Sequence, residues 1–125
     1  MDKIILPYPD NRLSPNARMN RYALSVVKQE ARDVGFLAAK SSAVSVVDVD
    51  LQLFILIFPP DKRGRDDDNV LASLKSYRDG IFDALGINDR RVRLSTHGFG
   101  PVKHNGMVYV YVKPLTELPE WMRDE

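Results

Sequence analysis

No cysteine occurs anywhere in the 125 residues. That absence excludes a disulfide scaffold, a thiol nucleophile, thiolate zinc sites and iron–sulfur clusters together, and it fits a reducing cytoplasm. Histidine is scarce as well, and His97 and His104 lack metal-ligand spacing. There is no long apolar run. The longest, Leu51 to Pro60, is interrupted by Gln52 and is far too short to cross a bilayer, so no membrane partner is expected. The opening MDKIILPYPDNR lacks the apolar stretch of a signal peptide, from which we expect a protein that acts in the cytoplasm, where it is made. Internal repeats and low-complexity tracts are missing. Gly98 and Gly100 precede Pro101 rather than a helix, so they form no phosphate-cradling fingerprint. No Ser-centred nucleophile elbow is present. A calcium loop opening at Asp66 fails, because Val70, Leu71 and Tyr77 stand where that pattern needs Asp or Asn, Gly and Glu. What remains is carboxylate and metal chemistry.

Charge of one sign is also lacking: 18 basic against 17 acidic residues leave +1, which by itself names no partner. The distribution is less even. Glu117, Glu120, Asp124 and Glu125 against Arg123 give the end of the chain a local −3, and the first 116 residues therefore carry +4. Hydrophobic residues make up 44% and charged residues 28%, ordinary for one globular domain over 1–125 with an acidic tail from about 114. A chain of this size buries roughly two-thirds of its unfolded surface, enough for a core without staples.

Ile4 to Leu6, stopped by Pro7 and Pro9, reads as an edge strand. Ser14-Pro15 looks like a helix start. Apolar residues from Met19 to Ala38 recur at helical spacing, so a helix is predicted to about Lys40, weakened slightly by Gly35. Val44 to Phe58 alternates, with Val47, Val49, Leu51, Leu53, Ile55 and Ile57 on one face. The opposite face turns from polar to apolar, which predicts a long strand, or two pieces of one, half-covered at first and fully buried later. A second helix carries Val70, Leu74, Tyr77, Ile81 and Leu85, with Asp68 or Asn69 as its cap and Gly86 as its stop. Val92–Thr96 and Met107–Val112 read as strands, and Asn105-Gly106 is a strong hairpin-turn signal. The order β-α-β-α-β-β predicts an α+β domain with a mixed sheet and two main helices.

Asp66, Asp67, Asp68 and Asn69 stand together between a strand and a helix. In an extended chain Asp66 and Asp68 point the same way, and converging carboxylates suit a hard divalent cation. The same residues also suit a helix cap at the positive end of the helix. Asp89, in GINDRRV, is a candidate third carboxylate, and its distance from Asp66 separates the two readings. Lys75, two helical turns after Asp68, could reach a metal-bound phosphate or lie on a solvated face. Lys62, Arg63 and Arg65 before the acidic cluster, and Arg90, Arg91 and Arg93 after Asp89, are either neutralised by neighbouring carboxylates or contact phosphates.

RDDDN, Lys75, Asp79-Gly80, Asp83-Ala84-Leu85 and NDRRV, with the opening LPYPDNRLSPNAR, resemble the RusA-type Holliday junction resolvases. These are small dimeric endonucleases, many carried by phages and prophages. The resemblance runs from about Ile4 to Val112 and is densest from Arg65 to Val92. It implies metal-binding, catalytic aspartates at Asp66, Asp68 and Asp89 and the family asparagine at Asn69. The family lysine falls in some members where Ala72 stands here, and Lys75 lies about one turn later. The resemblance further implies Mg²⁺ (with Mn²⁺ as substitute), a homodimer, branched DNA as substrate, and a place in DNA recombination and repair. On this reading the basic residues at 62, 63, 65, 90, 91 and 93 hold backbone phosphates. The alternatives are a nuclease for flaps or forks, an inactive DNA-binding or assembly protein, and an unrelated protein with an acidic helix cap.

Overall fold

A computed structural model describes residues 3–64, 66–116 and 120–122. Along the chain come β1 (Ile4–Leu6), α1 (Arg21–Ser41), β2 (Leu51–Phe58), α2 (Asp67–Ser73), α3 (Lys75–Leu85), β3 (Val92–Phe99) and β4 (Met107–Pro114). Single 3₁₀ turns lie at Asn11–Leu13, Asp89–Arg91 and Glu120–Met122. The sheet has the order β1-β4-β2-β3, with β2 and β3 parallel and the other two pairs antiparallel. This is a single-domain α+β fold with a mixed four-stranded sheet and two main helices, α1 and α3.

Period-2 alternation decides which side of the sheet is covered. Leu51, Leu53, Ile55 and Ile57 of β2 are all buried, as are Ile4, Leu6, Val108 and Val110 from the neighbouring strands. All of these but Leu51 meet Val27, Ala31 and Ala39 of α1, Val70 of α2, Leu74, and Tyr77, Ile81 and Phe82 of α3 in one core. No helix of the described residues packs over the other face. Phe54 there is 39% exposed and Leu56 half-buried, so the predicted complete burial of the later part of β2 is corrected: it holds only at Phe58.

Four further expectations are revised. α1 starts at Arg21, where Asn20 Oδ1 accepts the Ala23 N–H at 2.8 Å, whereas Ser14-Pro15 makes a turn after the 3₁₀ segment. An amide oxygen on the residue just before the helix, accepting an otherwise unsatisfied first-turn N–H three residues on, is the better cap. Val44–Asp50 is not strand, because β3 and β4 both end their pairing at Leu51. Asn105 and Gly106 do turn with positive φ (65° and 69°), yet they join no hairpin. β4 passes β3 and pairs antiparallel with β2 and β1 instead. The second helix is two helices, α2 and α3, separated at Leu74, whose N–H bonds back to Leu71 O at 3.0 Å in a tightened turn. Gly86 stops α3 as expected, in the left-handed conformation.

Candidate functional site

The loop after β2 delivers the acidic cluster to the start of α2. Asp66 is the N-cap of that helix: its Oδ1 accepts the Asp68 N–H at 2.9 Å and the Asn69 N–H at 3.4 Å. Asp68 and Asn69, the residues predicted as caps, instead lie in the first turn, so the extended geometry that would point Asp66 and Asp68 the same way does not occur. Asn69 accepts the buried Ser73 hydroxyl through its carbonyl at 2.9 Å.

Asp66, Asn69, Val70 and Ser73 form one side of a polar groove of about 210 Å³. Its other side is the N-terminal segment, through Tyr8, Pro9, Asp10, Asn11 and Ser14, and Arg63 also lines it. Asp10 is gripped by a guanidinium fork, with Arg12 Nε 3.0 Å from Oδ1 and Nη2 2.7 Å from Oδ2. That fork, with the Arg12 backbone N–H, lowers the Asp10 carboxyl below the ordinary carboxylate value and keeps it charged beside the groove. The contribution of Asp10 and Asn11 was missed in the sequence. Only the likeness of the LPYPDNR opening to the family pattern hinted at it.

Asp89 lies elsewhere. Asp66 follows the C-terminal end of β2, whereas Asp89 precedes β3, whose first residue, Val92, pairs with Leu51 at the N-terminal end of β2. The α2–α3 pair between them, from Asp67 to Leu85, is roughly 28 Å long laid end to end at helical rise. Among the described residues no three His, Cys, Asp or Glu side chains gather where they could hold a metal ion. Within one chain the expected convergence of Asp66, Asp68 and Asp89 is therefore not formed.

Lys75 opens α3 and bonds Asp79 at 3.0 Å. It lines a second groove, with Leu71, Leu74, Arg78 and Ser95–His97, and not the groove of Asp66. Arg91 pairs with Asp48 at 2.9 Å and Arg93 with Asp50 at 3.2 Å, so these arginines are neutralised from the segment before β2 rather than by Asp89. Arg63 pairs with Asp61 at 3.9 Å. Lys62 and Arg90 are exposed. Arg65 and residues 117–119 and 123–125 of the acidic tail lie outside the described residues.

No helix among the described residues is long and apolar enough to cross a membrane. No model of a known protein family matches the chain. It is 38% identical, over 121 residues, to an uncharacterized protein of Xylella fastidiosa (strain Temecula1), a match that spans 94% of this chain and 79% of that protein. At that identity and coverage, the chain belongs to the same family as the Xylella protein.

Proposed function

We propose that this chain is a RusA-type, Mg²⁺-dependent endonuclease that cuts four-way DNA junctions by paired nicks, each catalytic site being shared between two copies. The observation that supports this reading is where the resembling segments meet. The Pro9-Asp10-Asn11 stretch and the Asp66/Asn69 pair are far apart in sequence, and they line one polar groove. Asp66 lines the groove and Asp68 stands two residues on, in the first turn of α2, and both are hard oxygen donors. Mg²⁺ takes only one or two carboxylates directly and keeps waters and phosphate oxygens in its other positions, and Mn²⁺ shares the preference for oxygen. These two residues would hold the ion, which supplies a Lewis acid and an activated water. Arg63 beside Asp66, with Lys62 and Arg90 as exposed cations, would hold backbone phosphates. Lys75 would add positive charge from the neighbouring groove.

Asp89 joins this site only from a second copy. A two-fold dimer that sets two chains antiparallel would bring Asp89 of each to the Asp66 end of the other. The same symmetry would present two sites to a two-fold junction. The test is complementation. Asp66→Asn and Asp89→Asn proteins, each inactive alone, are mixed on labelled four-way junction, flap and linear DNA with Mg²⁺ or EDTA. A shared site predicts that the mixture regains single nicks, because one of the two sites in a mixed dimer keeps both aspartates. A mixture that stays inactive would show that the site is not shared.

One observation favours a second reading, an Asp-rich helix cap without catalysis. The Asp66 cap bonds and its distance from Asp89 in one chain account for both residues without a cation. That reading predicts no metal-dependent nicking of any substrate.

A further inference from the structure

The uncovered face of the sheet carries aromatic residues on its two central strands. Phe54 of β2 and Tyr111 of β4 are register partners, with ring centres 6.0 Å apart and planes tilted by 32°. The next row places Ile5, Tyr109 and Leu56 side by side, followed by Gly98, which puts no side chain beside Phe54. Lys3 lies 4.6 Å over the Tyr109 ring, and Lys3 and Lys113 line the groove in which Phe54 and Tyr111 stand. Among the described residues, no Asp or Glu lines that groove.

Such a face needs an occupant that offers flat apolar surface and negative charge together. A second copy of this face would set lysines against lysines. An apolar protein surface would leave Lys3 and Lys113 unpaired. Unpaired nucleotides meet both needs, because every base has a π-face and every linkage a charge. Sheets with aromatics on their central strands stack roughly two or three bases in this way. We propose that this sheet face binds single-stranded nucleic acid, with bases stacked on Phe54 and Tyr111 and phosphates held by Lys3 and Lys113. The proposal does not depend on Asp66, Asp68 or Asp89: none of them lines this groove, and the groove of Asp66 has no residue in common with it.

The test is anisotropy of a short fluorescein-labelled oligothymidylate titrated with the full chain in EDTA, so that cleavage plays no part. An abasic strand of equal length serves as the comparison. Tyr111→Ala should weaken oligothymidylate binding roughly fivefold to a hundredfold, the usual effect of losing one stacked base. Tyr111→Phe should bind as the parent does. Lys113→Glu, on the rim, should weaken oligothymidylate and abasic strand alike, and it remains informative should the alanine variant fold poorly. Asp66→Asn should bind normally, which separates this face from the proposed catalytic site. Equal binding of the two strands by the parent, or no binding at micromolar protein, would overturn the proposal. So would sedimentation in which Tyr111→Ala turns a dimer into a monomer, since the face would then belong to a second copy.

Discussion

Gly35 of α1 and Gly80 of α3 bring the two main helices to backbone contact. A Cβ on Gly80 would collide with the Arg32 carbonyl oxygen and stand 2.8 Å from the Phe36 nitrogen, and one on Gly35 would collide with the Tyr77 carbonyl oxygen. Beside this contact Arg32 reaches across to Asp83 at 2.6 Å. Gly35, which costs α1 some helix propensity, is thus explained by packing.

Gly80→Ala measures the contact. Alanine gains about 1 kcal/mol of helix propensity over glycine. Against that, overpacking into fixed backbone costs about 3 kcal/mol or more, since neither obstacle is a side chain that can turn away. The clash wins, so the variant should lose about 2 kcal/mol or more and melt roughly 6–15 °C lower. Gly64→Ala meets nothing within 4 Å and should melt as the parent does.

Asp66 has two separable tasks, capping α2 and, on the proposed function, holding the cation. Asn caps as well as Asp, so Asp66→Asn should keep stability within about 0.5 kcal/mol while abolishing cleavage. Asp66→Ala loses the cap too and should cost about 1 kcal/mol in denaturant unfolding. Junction binding in EDTA should hold or tighten in the Asn variant, because a carboxylate without its cation repels phosphate. Wild-type cutting by either variant would remove Asp66 from the site.

How much of this was legible in the sequence follows from which forces are local. Apolar alternation placed β2, and Gly86 marked the end of α3, because burial period and backbone handedness are written residue by residue. The position of β4 was not legible. Asn105-Gly106 encodes a turn, yet which strand edge β4 then takes depends on β2 having an edge open beside β1. The acidic cluster was found by composition. Its geometry was not, since the choice between an extended chain and a capped helix turns on where Asp66 Oδ1 finds its donors. The remoteness of Asp89 follows from the parallel pairing of β2 with β3, which forces the α2–α3 connection to return along the full length of the sheet.

Tyr77 makes stability depend on alkaline pH. Burial, reinforced by the charge of Asp10, pushes its phenol from 10.0 up to about 12. A folded-state pKa above the unfolded one means that the native protein keeps a proton the unfolded chain has released between those values. The stabilisation is therefore complete below pH 10 and is lost as pH rises towards 12, by on the order of 2–3 kcal/mol. Urea unfolding across that range should show the decline, and Tyr77→Phe should flatten it relative to the parent. Equal slopes in the two proteins would place the cause elsewhere.

Lys75 distinguishes a catalytic cation from a surface one. Its bond to Asp79 is an exposed i,i+4 pair, so Lys75→Ala should change stability by no more than about 0.5 kcal/mol. On the proposed function the turnover of junction cleavage should fall roughly tenfold or more with little change in affinity. An unchanged rate would leave Lys75 as half of the Asp79 pair and nothing more.

The salt dependence of junction binding sorts the basic residues by what already holds them. Affinity for DNA falls linearly with salt on logarithmic axes, with a slope of about 0.9 for each phosphate neutralised. Replacing Arg63 and Arg65 together should flatten that slope by about two contacts per subunit, since both flank Asp66 in sequence and Arg63 lines its groove. Junction and duplex should lose affinity alike, because phosphate contacts carry no sequence information. Arg91 is paired with Asp48 at 2.9 Å, as Arg63 is with Asp61 at 3.9 Å, and its guanidinium must leave that carboxylate to reach a phosphate. The double variant Asp48→Ala/Arg91→Ala removes the pair without changing net charge. If Arg91 serves only the pair, the slope stays as in the parent and stability changes by less than about 1 kcal/mol. A slope reduced by one contact would instead return Arg91 to the DNA surface, with Asp48 as the group that holds it in the unbound protein.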